Sequence, residues 1–137
     1  MSAVVLDASV AVAWCFPDEA SDYADAVLVA LGEYGISVPA VWSLEVANAL
    51  LVGERRKRLQ QSEIQRFIAL LEGLSIVQDG PAPVESVSRV LPLARQYGLS
   101  AYDAAYLELA VRQNVPLATL DGELRKAGKR AGVPLFS

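Results

Sequence analysis

Ala3-Val-Val-Leu6, followed at once by Asp7, decides how this chain is read. The run is apolar and rich in Val, and a carboxylate bounds it, so it predicts a short buried strand. Ser9 to Phe16 is apolar with small residues and stops at Pro17, which predicts a short helix. Asp18-Glu19 predicts the start of a second helix reaching about Gly32, with Tyr23, Val27 and Leu31 on one face. Ile36 to Val38 reads as a second strand, and Pro39 stands where a helix over Ala40 to Arg58 tolerates it. Ser62 with Glu63 predicts a further helix through Gly73, and Ser75 to Val77 a third strand. Asp79-Gly80-Pro81 is a turn, and Val84 to Tyr97 a helix closed by Gly98. Ser100-Ala-Tyr-Asp103 has capping-box spacing before a helix over Ala101 to Gln113, with Asp in place of Glu. Pro116 to Leu120 reads as a fourth strand, Gly122 to Lys129 as a helix, and Val133 to Phe136 as a fifth strand. Strands alternate with helices throughout, which predicts an α/β fold in three layers, a parallel sheet of four to five strands between helices.

The chain has 137 residues, 53% of them hydrophobic and 20% charged, which predicts a single globular domain spanning 1–137. One cysteine, Cys15, excludes an internal disulfide and a Cys-rich zinc site. There is no histidine, so Ser-His-Asp and Cys-His catalysis and His-ligated metals are excluded. Hydrolytic chemistry must then run on carboxylates and hard metal ions. Net charge is −4, yet eight of the 12 basic residues fall in two clusters, Arg55 to Arg58 and Arg125, Lys126, Lys129 and Arg130. These read either as solvated helix ends or as a basic rim. The first seven residues carry no basic targeting region and no apolar run is long enough for a bilayer, so no membrane association and a cytoplasmic location are expected.

In an open parallel sheet, ligands bind beyond the carboxyl ends of the strands. Asp7 directly follows the first strand and Asp121 the fourth, and Asp103 lies in the first turn of a helix entering from that edge. Glu45 is the most informative residue. Its segment, Ala40-Val-Trp-Ser-Leu-Glu-Val-Ala-Asn-Ala-Leu-Leu-Val52, is apolar nearly all round and predicts a buried helix. A carboxylate there needs a cation, a hydrogen-bond donor or a raised pKa. Asn48 lies three residues on, on the same face. Each aspartate also has a plain role open to it, since Asp7, Asp103 and Asp121 all stand where helix caps stand. Several carboxylates converging on one edge repel each other, and a divalent ion relieves that. All-oxygen coordination suits Mg²⁺ or Mn²⁺, which activates water for phosphodiester hydrolysis.

Val5-Leu-Asp7-Ala-Ser9, Glu45-Val-Ala-Asn48-Ala-Leu50, Ser100-Ala-Tyr-Asp103-Ala-Ala-Tyr106 and Thr119-Leu-Asp121, in this order and spacing, resemble the motifs of the PIN domain, and the length and order resemble a VapC-type toxin of a toxin–antitoxin pair. The resemblance implies a Mg²⁺- or Mn²⁺-dependent endoribonuclease. It implies Asp7 and Asp103 as main metal ligands, Glu45 holding the metal or its water, and Asp121 completing the acidic site. Ser9 and Thr119 match supporting polar positions, and Asn48 matches the helix asparagine beside the acid. Glu123 is left outside the set. The implied partners are structured RNA as substrate, a second copy in a homodimer, and a VapB-type antitoxin that itself contacts operator DNA. The apolar residues of Ser9–Phe16 and Ala40–Val52 are candidates to line a partner groove, with Trp14 and Phe16 as exposed contacts. A response-regulator receiver would want an acidic pair after the first strand and a Lys after the last, and a haloacid-dehalogenase-like phosphatase a second Asp where Ser9 stands. The remaining alternatives are another PIN role, a nuclease of ribosomal RNA maturation or a DNA-flap enzyme, which the compact length disfavours, and a non-catalytic PIN scaffold that binds RNA or a protein partner.

Overall fold

The computed structural model describes residues 3–137. Strand β1 (Ala3–Leu6) lies inside a four-stranded sheet, and its Val4, Val5 and Leu6 are fully buried, as a near-continuous apolar run demands. It pairs in parallel with β2 (Gly35–Val38) on one side and β4 (Leu117–Ala118) on the other, and β2 pairs in parallel with β3 (Ile76–Gln78). The strand order is β3-β2-β1-β4. Val4 stands opposite Ile36, Val5 opposite Leu117, and Ser37 opposite Val77. Because every strand runs the same way, all carboxyl ends lie along one edge.

Helices α1 (Ala8–Cys15), α2 (Asp22–Ala30), α3 (Val41–Arg55) and α4 (Gln61–Glu72) form a group in which α1 packs against each of the others. Helix α6 (Ala101–Gln113) packs against α5 (Pro83–Tyr97), α7 (Gly122–Arg130) and β1. The fold is thus α/β, with the parallel sheet between helices. Among the described residues, no helix is long and apolar enough to cross a membrane.

Several boundaries differ from expectation, each for a local reason. Asp18 and Glu19 do not open α2. They sit in a 3₁₀ turn, Pro17–Glu19, and the helix starts after Ser21, whose side chain accepts a hydrogen bond from Ala24 N–H at 3.2 Å. Both acids bind Arg58 instead, at 2.7 Å and 3.0 Å. Helix α3 ends at Arg55 rather than Arg58. Lys57 takes a left-handed conformation (φ 59°), and Arg58 N–H turns back to Gly53 O at 2.8 Å, the bond of a Schellman ending. Helix α4 starts a residue before Ser62, because Gln60 is its cap and the Glu63 carboxylate returns to Gln60 N–H at 2.9 Å. Val133–Phe136 is not a fifth strand. A single parallel bridge joins Leu135 to Leu117, and Pro134 has no N–H to extend it.

The expectation of an all-round buried α3 is also corrected. Trp42, Val46, Leu50 and Gly53 face inward, while Leu44 is 72% exposed and Leu51 is exposed too. Helix α3 leans on α1, and its opposite side is left uncovered. Gly53 makes the close approach possible, since a Cβ there would meet the Phe16 ring at 2.6 Å. Phe16 is therefore core, only 2% exposed, with the Arg58 guanidinium 4.3 Å above its ring, and is no exposed partner contact. Trp14 is half-buried, and its Nε1 donates to Ala24 O at 2.8 Å.

Candidate active site

The backbone of Asp7 still belongs to the sheet, donating to Ala118 O at 2.9 Å. Its side chain is buried beyond the end of β1. It occupies the cap position of α1 but makes no side-chain cap bond, so capping does not explain it. Two hydroxyls converge on one of its oxygens instead. Ser9 Oγ donates to Oδ2 at 2.6 Å and Thr119 Oγ1 at 2.7 Å. Each hydroxyl is itself held from β4's end. Leu120 N–H donates to Ser9 Oγ and Asp121 N–H to Thr119 Oγ1, both at 3.0 Å. The ends of β1 and β4 are laced together around one carboxylate.

Asp121 does act as a cap, with Oδ2 accepting from Leu124 N–H at 2.8 Å, which spends one oxygen. Asp103 does not cap α6. Ser100 does, accepting from Asp103 N–H at 3.1 Å, and so fixes where the turn that carries Asp103 begins. Glu45 projects from α3, and its Oε1 accepts from the Tyr106 hydroxyl at 2.5 Å. Asn48 stands exposed on α3 and enters none of these bonds. Glu123 is exposed and pairs with Lys126 at 3.6 Å.

The acids feel each other. Burial raises the Asp7 pKa, the hydroxyls of Ser9 and Thr119 pull it back, and the charge of Asp121 pushes it up again. Burial also raises Glu45, offset by the Tyr106 bond and reinforced by Asp7 and Asp103. Asp103 is raised by burial, then by Asp121 and Asp7. Asp7, Glu45, Asp103 and Asp121 therefore share one electrostatic neighbourhood, drawn from β1, α3, α6 and the turn into α7. Tyr106 is pushed far up, by burial first, and stays a protonated donor.

An all-oxygen, net-negative set of this kind fits a hard divalent cation such as Mg²⁺ or Mn²⁺. Among the described residues no three acids stand arranged to grip one ion together.

Tyr106 is the residue that sequence reasoning missed. A phenol in an apolar helix reads as core, and the one available signal is its position a turn beyond Asp103 on the same face. A second missed group is Arg112, which binds Glu108 at 2.8 Å and Asp79 at 2.5 Å and ties α6 to the turn after β3. A recess of about 290 Å³ lies beside it, and none of the four acids lines it. The basic clusters are divided. Arg58 is committed to Asp18 and Glu19, and Arg125 donates to Thr119 O at 2.8 Å while lying 4.7 Å over the Tyr23 ring. Arg55, Arg56 and Lys57 stand exposed.

The PIN-domain family model matches residues 4–130. Ribonuclease VapC3 of Pyrobaculum aerophilum is 31% identical over 121 residues, which span 88% of this chain and 91% of that protein. The crystal structure of PAE2754 from Pyrobaculum aerophilum matches with a TM-score of 0.68 at 24% identity, covering 92% of this chain and 79% of that one. VapBC2 from Rickettsia felis, bound to a DNA fragment from its promoter, matches with a TM-score of 0.64 at 18% identity, covering 97% and 96%. FitAcB from Neisseria gonorrhoeae matches with a TM-score of 0.61 at 19% identity, covering 98% and 96%. At these identities the structural matches speak for the fold.

Proposed function

The chain belongs to the PIN-domain family and is distantly related to the VapC ribonucleases, and we propose that it is itself a VapC-type toxin, a metal-dependent endoribonuclease. The observation that carries this reading is the convergence of four acids at the carboxyl edge of the sheet, three of them held above the usual carboxylate range by burial and mutual charge. Such an arrangement costs stability unless a cation joins it.

Asp7, Asp103, Glu45 and Asp121 would hold Mg²⁺ or Mn²⁺. The bound ion would supply Lewis acidity and a water of lowered pKa for attack on a phosphodiester. The chain's own residues do the rest. Ser9 and Thr119 fix Asp7 through Oδ2, and Arg125 braces the carbonyl of Thr119. Glu45 offers Oε2, the oxygen that Tyr106 does not hold, to orient water. Asp121 steadies the start of α7 with one oxygen and faces the site electrostatically. With no histidine in the chain, protons move between carboxylate oxygens and water.

The partners we propose are an RNA substrate, a second copy of the chain, and a VapB-type antitoxin through which any operator DNA is met. VapBC2 on its promoter fragment is the kind of assembly that motivates this. The protein would work as a single domain in the cytoplasm. The test is cleavage of total cellular RNA by the antitoxin-free protein with Mg²⁺ or Mn²⁺, against EDTA and against Asp103→Asn. Discrete bands that need both the metal and Asp103 are expected. A folded protein that cuts nothing under any metal would give the reading over to a PIN scaffold that only binds.

A further inference from the structure

Tyr106 is the largest fully buried side chain among the described residues, yet its hydroxyl is spent on the rim of the acidic site rather than in the core. Helix α3, which carries Glu45, leans on α1. Helix α6, which carries Asp103 and Tyr106, leans on α5, α7 and β1. Neither helix packs extensively on the other. Among the described residues the Tyr106–Glu45 bond is the one side-chain hydrogen bond or ion pair joining them. A glutamate has three rotatable side-chain bonds, and Glu45 is only half-buried, so nothing in its own helix holds the carboxylate. Tyr106 has one rigid ring locked in the core and one hydroxyl at a fixed height. Asp103 lies one turn before it on the same face.

We propose that Tyr106 is the positioning residue of the acidic site, its hydroxyl holding Glu45 Oε1 and thereby setting the spacing of that carboxylate from Asp103 across two helices that otherwise barely meet. The role rests on the nuclease reading above. Outer partners that orient metal-ligating carboxylates commonly change metal affinity on the order of 10–100-fold when removed.

Tyr106→Phe keeps the ring and removes only the donor. Two measurements on the full chain decide the matter: Mn²⁺ affinity by calorimetry, and amide hydrogen exchange in EDTA. The expected result is Mn²⁺ binding weakened on the order of 10–100-fold, with faster exchange confined to α3 around residues 44–48. Wild-type Mn²⁺ affinity in Tyr106→Phe would overturn the proposal. So would exchange quickened equally in β1 and α6, because the residue would then act through packing. Should Tyr106→Phe not fold, Glu45→Asp withdraws the carboxylate from the hydroxyl and is read by hydrogen exchange in EDTA, where ligation plays no part: faster exchange confined to residues 44–48 is expected, and wild-type exchange there overturns the role. A wild-type protein that neither binds Mn²⁺ nor cuts RNA strikes the nuclease reading itself, and is told apart by needing no variant at all.

Discussion

Thr119 is fully buried and its hydroxyl works in both directions, donating to Asp7 Oδ2 and accepting from Asp121 N–H. Thr119→Val keeps the shape and removes both bonds. Hydrogen bonds to charged groups contribute about 1.5–3 kcal/mol, so a loss of that size is expected in urea unfolding. An unchanged midpoint would mean that the Asp7 carboxylate does not depend on it. Asp7 itself carries a raised pKa, so the folded protein holds that proton more tightly than the unfolded chain. Its contribution is therefore full at acid pH, below the unfolded value, and is lost as pH rises through the folded one. In EDTA, Asp7→Asn should raise Tm at neutral pH and flatten the decline between acid and neutral pH; a lower Tm at pH 7 would contradict this sign. The acids were legible because three of them follow apolar runs or open helices, positions where a side chain must face the carboxyl edge. Tyr106 was not, because its partner is 61 residues away and only the assembled helices bring the two together.

Elements were legible where the signal was local. Ser100 and Gly98 bound their helices as expected, Gly98 by a left-handed φ of 64°. Boundaries failed where a distant residue decided them. The charges of Asp18 and Glu19 suit a helix start, but Arg58, some forty residues on, takes both. The apolar count of α3 could not say which side is covered, since that depends on where α1 and α4 lie. Gly53 is the contact point of α3 with the Phe16 ring, and Leu59 Cδ1 also stands 3.0 Å from where a Cβ would be. Phe16 is buried, with the Arg58 guanidinium 4.3 Å over its ring. Gly53→Ala is expected to destabilise the protein by about 1–3 kcal/mol, the range for overpacking, measurable by chemical denaturation. A stabilised variant, as helix propensity alone would give, is the contrary outcome.

For the whole molecule, alternation of strands and helices was enough to read a parallel sheet, but not its order. Periodicity is silent on which strands pair, and the bridge at Leu135 shows how little separates a strand from a passing segment. A cation that binds only the folded form stabilises it by mass action, about 2.7 kcal/mol at a hundredfold excess over Kd. Mn²⁺ should therefore raise Tm in a concentration-dependent way, and this shift should be lost in Asp7→Asn. A shift that survives the substitution would place the ion elsewhere. The strand order has a consequence in time. β1 is made first, yet its partner β4 and the threonine that holds Asp7 come more than a hundred residues later. The Tyr23 hydroxyl likewise closes on Phe136 O at 2.6 Å. On a ribosome adding about 5–20 residues per second, the growing chain carries its first acid for several seconds before Thr119 and Asp121 have been synthesised. A product cut short before residue 117 lacks β4, both of these residues and α7, and so never assembles the acidic cluster.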